Sequence, residues 1–356
     1  MSLFKDMLRG DESLFRNEVA LDYEFLPKLL PYRENEQKHF ATCIAPLLQS
    51  RNGRNLFVSG APGIGKTAAL KSVFRDLEEE TDDVIPIYIN CWQKNTTFKI
   101  LIEVCDQLGY KLTHNKRTEE LFEVVKSIIN KKAAVFAFDE VDKVEDYDFL
   151  YSIMEEIFKK SIFMMTNHRD WLLELDQRIK SRLIPEVLEF RKYNITEVKG
   201  ILKQRIEYAF VPGCWDDEAF DMVAERTFSQ EDIRLGLYIL RESGLAAESK
   251  SSRKITADHV KEAISKLDEF SIKPKSDLDE DMNRILDIVK ANSGSRIGDL
   301  FKLYQQQGGT SVYKTFQRKI RKLSDGKFIS IQIIRGGAEG TTSIITYQQT
   351  KKLTEF

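Results

Sequence analysis

Residues 60–67 read Gly60-Ala61-Pro62-Gly63-Ile64-Gly65-Lys66-Thr67, a G-x-x-x-x-G-K-[ST] string. It directly follows the apolar run of residues 55–59 and directly precedes a helix-forming stretch, the two context requirements of a phosphate-binding loop. Glycines at these positions let the backbone turn several N–H groups onto one point. The helix that begins near Lys66 adds its positive end there. The reading is a triphosphate cradle built from Gly60, Ala61, Pro62, Gly63, Ile64, Gly65, Lys66, Thr67 and Ala68. Lys66 is expected on the β- and γ-phosphates and the Thr67 hydroxyl on Mg²⁺, which makes ATP/ADP and Mg²⁺ the expected cofactors.

A loop of this kind needs acids across the cleft. Residues 133–138 form an uninterrupted apolar run that ends in Asp139 and Glu140, with Asp142 two residues on. A buried strand in a parallel sheet delivers such residues to the edge where ligands lie. Asp139 is expected to hold Mg²⁺ and Glu140 to polarise the attacking water. Asp142 is expected to orient its neighbours or cap the next helix. A further apolar strand, 161–166, precedes Asn167, which is placed to position that water.

Between and around these motifs, strands alternate with helical periodicity. Helices are predicted over 32–50, 66–79, 98–108, 118–130 and 147–159, and strands over 55–59, 84–90, 133–138 and 161–166. This alternation implies an α/β fold with a parallel sheet covered on both faces. After Phe190 the pattern is helical only, over 195–210, 216–227, 232–247 and 257–270. The expected organisation is a partly ordered lead-in (1–30), a nucleotide-binding domain (31–192) and an all-helical lid (193–272). A linker around 273–277 and a C-terminal winged helix-turn-helix (278–350) follow.

In that last segment, helices over 279–292 and 297–306 precede a third over 310–323, and strands over 327–334 and 341–347 form a hairpin. The third helix carries Lys314, Arg318, Lys319, Arg321 and Lys322 with no acid before Asp325. Tyr313, Phe316, Ile320 and Leu323 recur at helical spacing and are read as its core face. The opposite face presents Ser311, Lys314, Thr315 and Arg318 to a major groove of double-stranded DNA, with Arg335 at the wing. The whole chain carries a net charge of −2 and a pI near 6.2. DNA affinity must therefore come from this local patch and not from a global field.

Hydrophobic residues at 42% and charged residues at 31% describe a folded chain, and no apolar run approaches the length of a membrane span. The expected location is cytoplasmic and nucleoid-associated. Cys43, Cys91, Cys105 and Cys214 show no C-x-x-C pairing, and the four histidines are equally scattered. Neither a disulfide framework nor a zinc site is expected from the spacing.

These motifs together resemble the AAA+ superfamily and, more narrowly, the archaeal-type origin-recognition/cell-division-cycle replication initiators. Beyond the loop and the acids, the likeness lies in Leu30-Pro31-Tyr32-Arg33-Glu34, in Arg178-Ile-Lys-Ser181-Arg182-Leu183, in Phe190-Arg-Lys-Tyr193 with the following Arg205, and in Asp232-Ile-Arg234. The resemblance implies that Tyr32 and Arg33 pack against the adenine and that Tyr193 and Arg205 complete the nucleotide site. It makes Arg234 a lid arginine on the γ-phosphate and Arg182, or else Arg178, a finger acting on a neighbouring subunit. It also implies origin DNA, the replicative helicase and other initiator subunits as partners, with slow hydrolysis as a switch. A region between 96 and 118, with His114, Asn115, Lys116 and Arg117, matches an insertion that approaches the minor groove in relatives. Two other readings stand beside this one: a transcriptional or mobile-element regulator, and a clamp-loader-like ATPase whose winged helix contacts protein.

Overall fold

Alternate residues of one strand point to opposite faces of a sheet, so a strand that is apolar throughout must be covered on both sides. The computed structural model, which describes residues 13–271, 280–309, 311–325, 328–334 and 342–347, shows this arrangement. Strands β1 (Leu56–Ser59), β2 (Val84–Asn90), β3 (Ala133–Asp139), β4 (Lys160–Thr166) and β5 (Glu186–Glu189) form one sheet in the order β2-β3-β4-β1-β5. Every neighbouring pair is parallel. On one face, Leu56, Val58, Val135, Ala137, Phe163 and Met165 pack beneath helices α1 (Glu34–Leu48) and α2 (Lys66–Glu80). On the other, Phe57, Ile87, Phe136, Phe138, Ile162 and Met164 meet α3 (Thr97–Gln107), α4 (Thr118–Ile129) and α5 (Asp148–Glu156). Each fully buried Phe or Leu contributes about 1.5–3 kcal/mol, so the two layers anchor the sheet firmly. The register pairs Ser59 with Thr166 and Asn90 with Asp139. One edge of the sheet therefore collects the ends of β1, β3 and β4.

Three local features depart from the sequence expectations. Helix α5 stops at Glu156 instead of continuing to Lys159, because the Asn130 amide donates to Glu156 O (2.9 Å) and accepts from Phe158 N (2.9 Å). Two short helices, α6 (Trp171–Glu174) and α7 (Gln177–Leu183), and the edge strand β5 follow β4. The segment from residue 13 to 25, part of the lead-in expected to be partly ordered, is packed onto the helical domain. Leu14, Ala20 and Leu21 are buried, and Arg205 on α8 (Ile195–Ala209) donates to the carbonyls of Ala20 and Phe25, both at 3.0 Å.

The lid continues with α9 (Asp217–Gln230), α10 (Ile233–Ser249) and α11 (Ala257–Ser271). Phe15 packs against Phe210 with ring centroids 4.7 Å apart and the planes tilted by 32°. Gly244 makes room for both rings, since a Cβ there would meet the Phe15 ring at 2.4 Å.

The chain divides into two compact units, Met1–Ala263 and Ile264–Phe356. In the second, α12 (Glu280–Ala291), β6 (Ser295–Arg296), α13 (Ile297–Gln306), α14 (Tyr313–Asp325), β7 (Ile329–Ile334) and β8 (Thr342–Tyr347) follow one another. This is the element order of a winged helix-turn-helix, with an antiparallel sheet β6-β8-β7. Its core joins Ile285, Val289, Leu300, Tyr304, Phe316, Ile320, Leu323 and Ile345. Tyr313, read from spacing as core, is instead 40% exposed and sits edge-on to Phe301. Arg335 and the wing tip lie outside the described residues.

Candidate nucleotide site and candidate nucleic-acid face

The loop between β1 and α2 folds as its glycines require. Gly63 and Gly65 take φ of +73° and +88°, values that L side chains rarely adopt. Lys66, only 6% exposed, turns its ammonium into the loop and donates to Gly60 O (2.8 Å), Ala61 O (2.9 Å) and Asn167 Oδ1 (2.7 Å). Burial pulls this lysine below its ordinary range, while the Asp139 and Glu140 carboxylates pull it back up. Asn167 also donates to both Glu140 oxygens, at 2.9 and 3.0 Å. Glu140 itself has φ +54°, the left-handed turn by which the chain leaves β3 and aims this carboxylate back across the strand ends. The structure thus brings Lys66, Glu140 and Asn167 into one hydrogen-bonded group.

Thr67 and Asp139 form the second group. The Thr67 hydroxyl donates to Asp139 Oδ2 at 2.5 Å. A hydroxyl and a carboxylate on one oxygen-rich point are the donor set that a hard divalent cation such as Mg²⁺ accepts. Tyr88, on β2, donates to the same Oδ2 at 3.0 Å. Burial and the Asp139 charge push the Tyr88 phenol far up, so it stays a donor at any ordinary pH. Tyr88 was not among the residues expected at the site; the available signal was a polar-tipped tyrosine between Ile87 and Ile89, two residues before the end of β2. Asp142 accepts from the Thr166 hydroxyl (2.6 Å), tying the ends of β3 and β4 together.

The lid reaches the same loop. Ile233 N donates to Gly63 O at 3.2 Å, and the Asp232 carboxylate lies where a Cβ on Gly63 would stand, 2.0 Å from it. Asp232 in turn holds the Arg234 guanidinium through both oxygens, at 2.6–3.2 Å, which raises that arginine further above its ordinary range. Arg33 is fully buried. It donates to Ile64 O in the loop (3.0 and 3.2 Å), to Arg191 O (2.7 Å) and to the Tyr193 hydroxyl (3.0 Å), and it pairs with Glu36 (2.8 Å). Its guanidinium carbon sits 3.9 Å from the Tyr193 ring centre. Arg33 and Tyr193 therefore brace the loop from behind, and the guanidinium is committed to protein partners. The Tyr32 hydroxyl packs against Gly200 on α8. Arg205 points to the carbonyls of residues 20 and 25, so its guanidinium serves the packing of that segment. Arg182 pairs with Glu155 and lies over the Tyr151 ring, both on α5, while Arg178 is exposed on the first turn of α7.

In the second unit, Lys314, Arg318, Arg321 and Lys322 are exposed on α14 and Thr315 is half-buried. Ser311 differs from the groove-facing expectation: its hydroxyl donates to Asp281 at 3.1 Å. Asp281 also receives Tyr304 (2.7 Å) and Lys319 (2.9 Å), which takes Lys319 out of the free basic set. Among the described residues no helix is long and apolar enough to cross a membrane.

Residues 49–171 match the AAA domain family, and residues 199–265 match the Cdc6 AAA+ ATPase-type lid domain family. The ORC1-type DNA replication protein 2 of Methanothermobacter thermautotrophicus is 29% identical, covering 96% of this chain and 94% of that protein. Among solved structures, the Aeropyrum pernix ORC1 protein in complex with DNA superposes with a TM-score of 0.72 at 23% identity, over 94% of this chain and 93% of that one. The Aeropyrum pernix ORC2 protein, solved with ADPNP and ADP, gives a TM-score of 0.66 at 16% identity, over 94% of each chain.

Proposed function

We propose that this chain, which belongs to the AAA+ ATPases of the archaeal-type origin-recognition and cell-division-cycle initiator family, is an ATP-switched replication initiator that binds origin DNA and helps recruit the replicative helicase. The observation that carries the reading is the meeting of loop, acids and lid: Lys66, Asn167 and Glu140 in one group, with Ile233 of the lid on Gly63 of the loop. In this reading the Lys66 ammonium exchanges its carbonyl acceptors for phosphate oxygens. Glu140, steered by Asn167, takes the proton side of the attacking water. Thr67 and Asp139 would hold Mg²⁺, with Tyr88 fixing the shared Asp139 oxygen. The bound cation would supply charge neutralisation between the β- and γ-phosphates.

Arg234 would leave Asp232 for the γ-phosphate, and loss of that phosphate would return it. Lid and sheet would then exchange between two arrangements by a population shift, with hydrolysis slow enough to act as a timer. A finger in trans requires Arg182 to leave Glu155, or Arg178 to serve instead; other initiator subunits would supply the neighbouring nucleotide. The ORC1-type relatives are named for DNA replication, and the solved Aeropyrum pernix ORC1 is a complex with DNA. Here the exposed Lys314 and Arg318 on α14 support the same use, and double-stranded origin DNA is the proposed ligand.

Genome-wide mapping of bound sites with ATP or ADP tests the reading. Enrichment at the replication origin that changes with nucleotide is expected. Occupancy confined to promoters, or no DNA occupancy at all, would overturn it.

A further inference from the structure

Helix α1 carries His39 and Cys43 four residues apart and therefore on one face. That face meets the edge strand β5 at Glu186. His39 Nε2 lies 3.0 Å from Glu186 Oε2, and Cys43 Sγ lies 3.9 Å from the same oxygen. All three donor atoms fall within 4.8 Å of one another. Four-coordinate zinc places nitrogen, sulfur and oxygen ligands about 3.4–3.6 Å apart, so shifts below about 1 Å bring these three onto one ion. The carboxylate is already divided in the way a ligating carboxylate usually is. Its Oε1 is held by Arg54 Nη1 at 3.0 Å, which leaves Oε2 to the other two groups. Cys43 is fully buried, yet its sulfur faces this carboxylate. His39 and Glu186 are about one-third exposed, at 34% and 38%, so an ion has a route in and a solvent side for its fourth ligand.

We infer that His39, Cys43 and Glu186 form a three-residue site for a zinc-class divalent cation, distinct from the oxygen-lined point at Thr67 and Asp139. A mixed nitrogen, thiolate and carboxylate set favours such borderline ions over Mg²⁺. The site has a structural consequence. Helix α1 starts immediately after Arg33, and β5 leads into Arg191 and Tyr193, the groups that hold Arg33 against Ile64 O. An ion joining α1 to β5 clamps the frame that braces the phosphate loop. Zinc is not expected from the spacing in sequence, because the third ligand stands 143 residues beyond the cysteine.

The test titrates Co²⁺ into the full-length protein stripped with chelator, in excess Mg²⁺, and follows absorption. The expected result is one equivalent taken up with a thiolate-to-cobalt charge-transfer band and four-coordinate ligand-field bands, both displaced by Zn²⁺. The charge-transfer band should vanish in Cys43→Ser, weaken with at least tenfold lower affinity in His39→Gln, and persist in Cys91→Ser. Absence of the band in the wild-type protein, or its survival in Cys43→Ser, overturns the assignment. Because the wild-type titration alone can do so, the test stands even if a variant folds poorly.

Discussion

Asn167 holds Glu140: one amide nitrogen at the end of β4 donates to both oxygens of the acid that follows β3, at 2.9 and 3.0 Å. Through its other atom Asn167 accepts from Lys66. One side chain thus connects Lys66, the proposed phosphate ligand, to Glu140, the proposed activator of water, and its removal should affect turnover more than affinity. Asn167→Ala is expected to lower the single-turnover hydrolysis rate by about 10–100-fold, with ATP affinity changed by less than about threefold. Equal losses in both would place Asn167 in binding alone.

Tyr88→Phe removes a hydrogen bond to the charged Asp139 oxygen and nothing else of size. Such bonds are worth about 1.5–3 kcal/mol. The Mg²⁺ concentration giving half-maximal hydrolysis should rise about tenfold, while binding of ATP without Mg²⁺ stays as in the wild type. A Mg²⁺ titration of the two proteins checks this.

Much of this site was legible beforehand. The loop, the Asp139-Glu140 strand end and Asn167 each follow a continuous apolar run, and a buried parallel strand leaves no other place for its polar end. Other parts were hidden for physical reasons. β5 reads Glu-Val-Leu-Glu, too short and too charged to announce a strand, and exists because β1 offers it an open edge. Arg33 is fully buried because carbonyls from residues 64 and 191 and the Glu36 carboxylate satisfy it, and no local pattern signals partners 31 and 158 residues away. Tyr313 has core spacing, but it falls in the first turn of α14, where its ring meets only the edge of Phe301. On α14 the basic residues were visible, whereas the capture of Lys319 and Ser311 by Asp281 was not.

Arg33→Met keeps much of the side-chain volume but strands two carbonyls and Glu36. Leaving buried polar groups unpaired costs about 1–3 kcal/mol each, so a loss of about 3 kcal/mol in urea unfolding is expected. Weaker ATP binding should accompany it. A stability change below about 1 kcal/mol would mean that the brace does not hold the loop.

Glu197 caps α8 with Asn194 and receives Arg191 through both oxygens, at 2.6 and 2.7 Å. The Arg191 guanidinium holds its carboxyl down at about 2, against an ordinary 4.5. A depressed folded-state value gives stability that is complete above about 4.5 and is lost as pH falls toward 2. Comparing wild type with Glu197→Gln isolates this share. The stability gap between them should narrow over that acid range, and a gap independent of pH would contradict the ion pair.

Replacing Lys314 and Arg318 together with Ala should weaken binding to duplex DNA and reduce the slope of log affinity against log salt by about 2. Fluorescence anisotropy across a salt series measures both. An unchanged slope would mean that α14 does not touch phosphates.

The convergence of loop and acids on one triphosphate is tested most directly by calorimetric titration of ATP with and without Mg²⁺. Lys66→Ala is expected to lose at least about 100-fold in affinity under both conditions, whereas Asp139→Asn should lose only the gain that Mg²⁺ confers. ATP affinity unchanged in Lys66→Ala, or a Mg²⁺ gain untouched in Asp139→Asn, would contradict it.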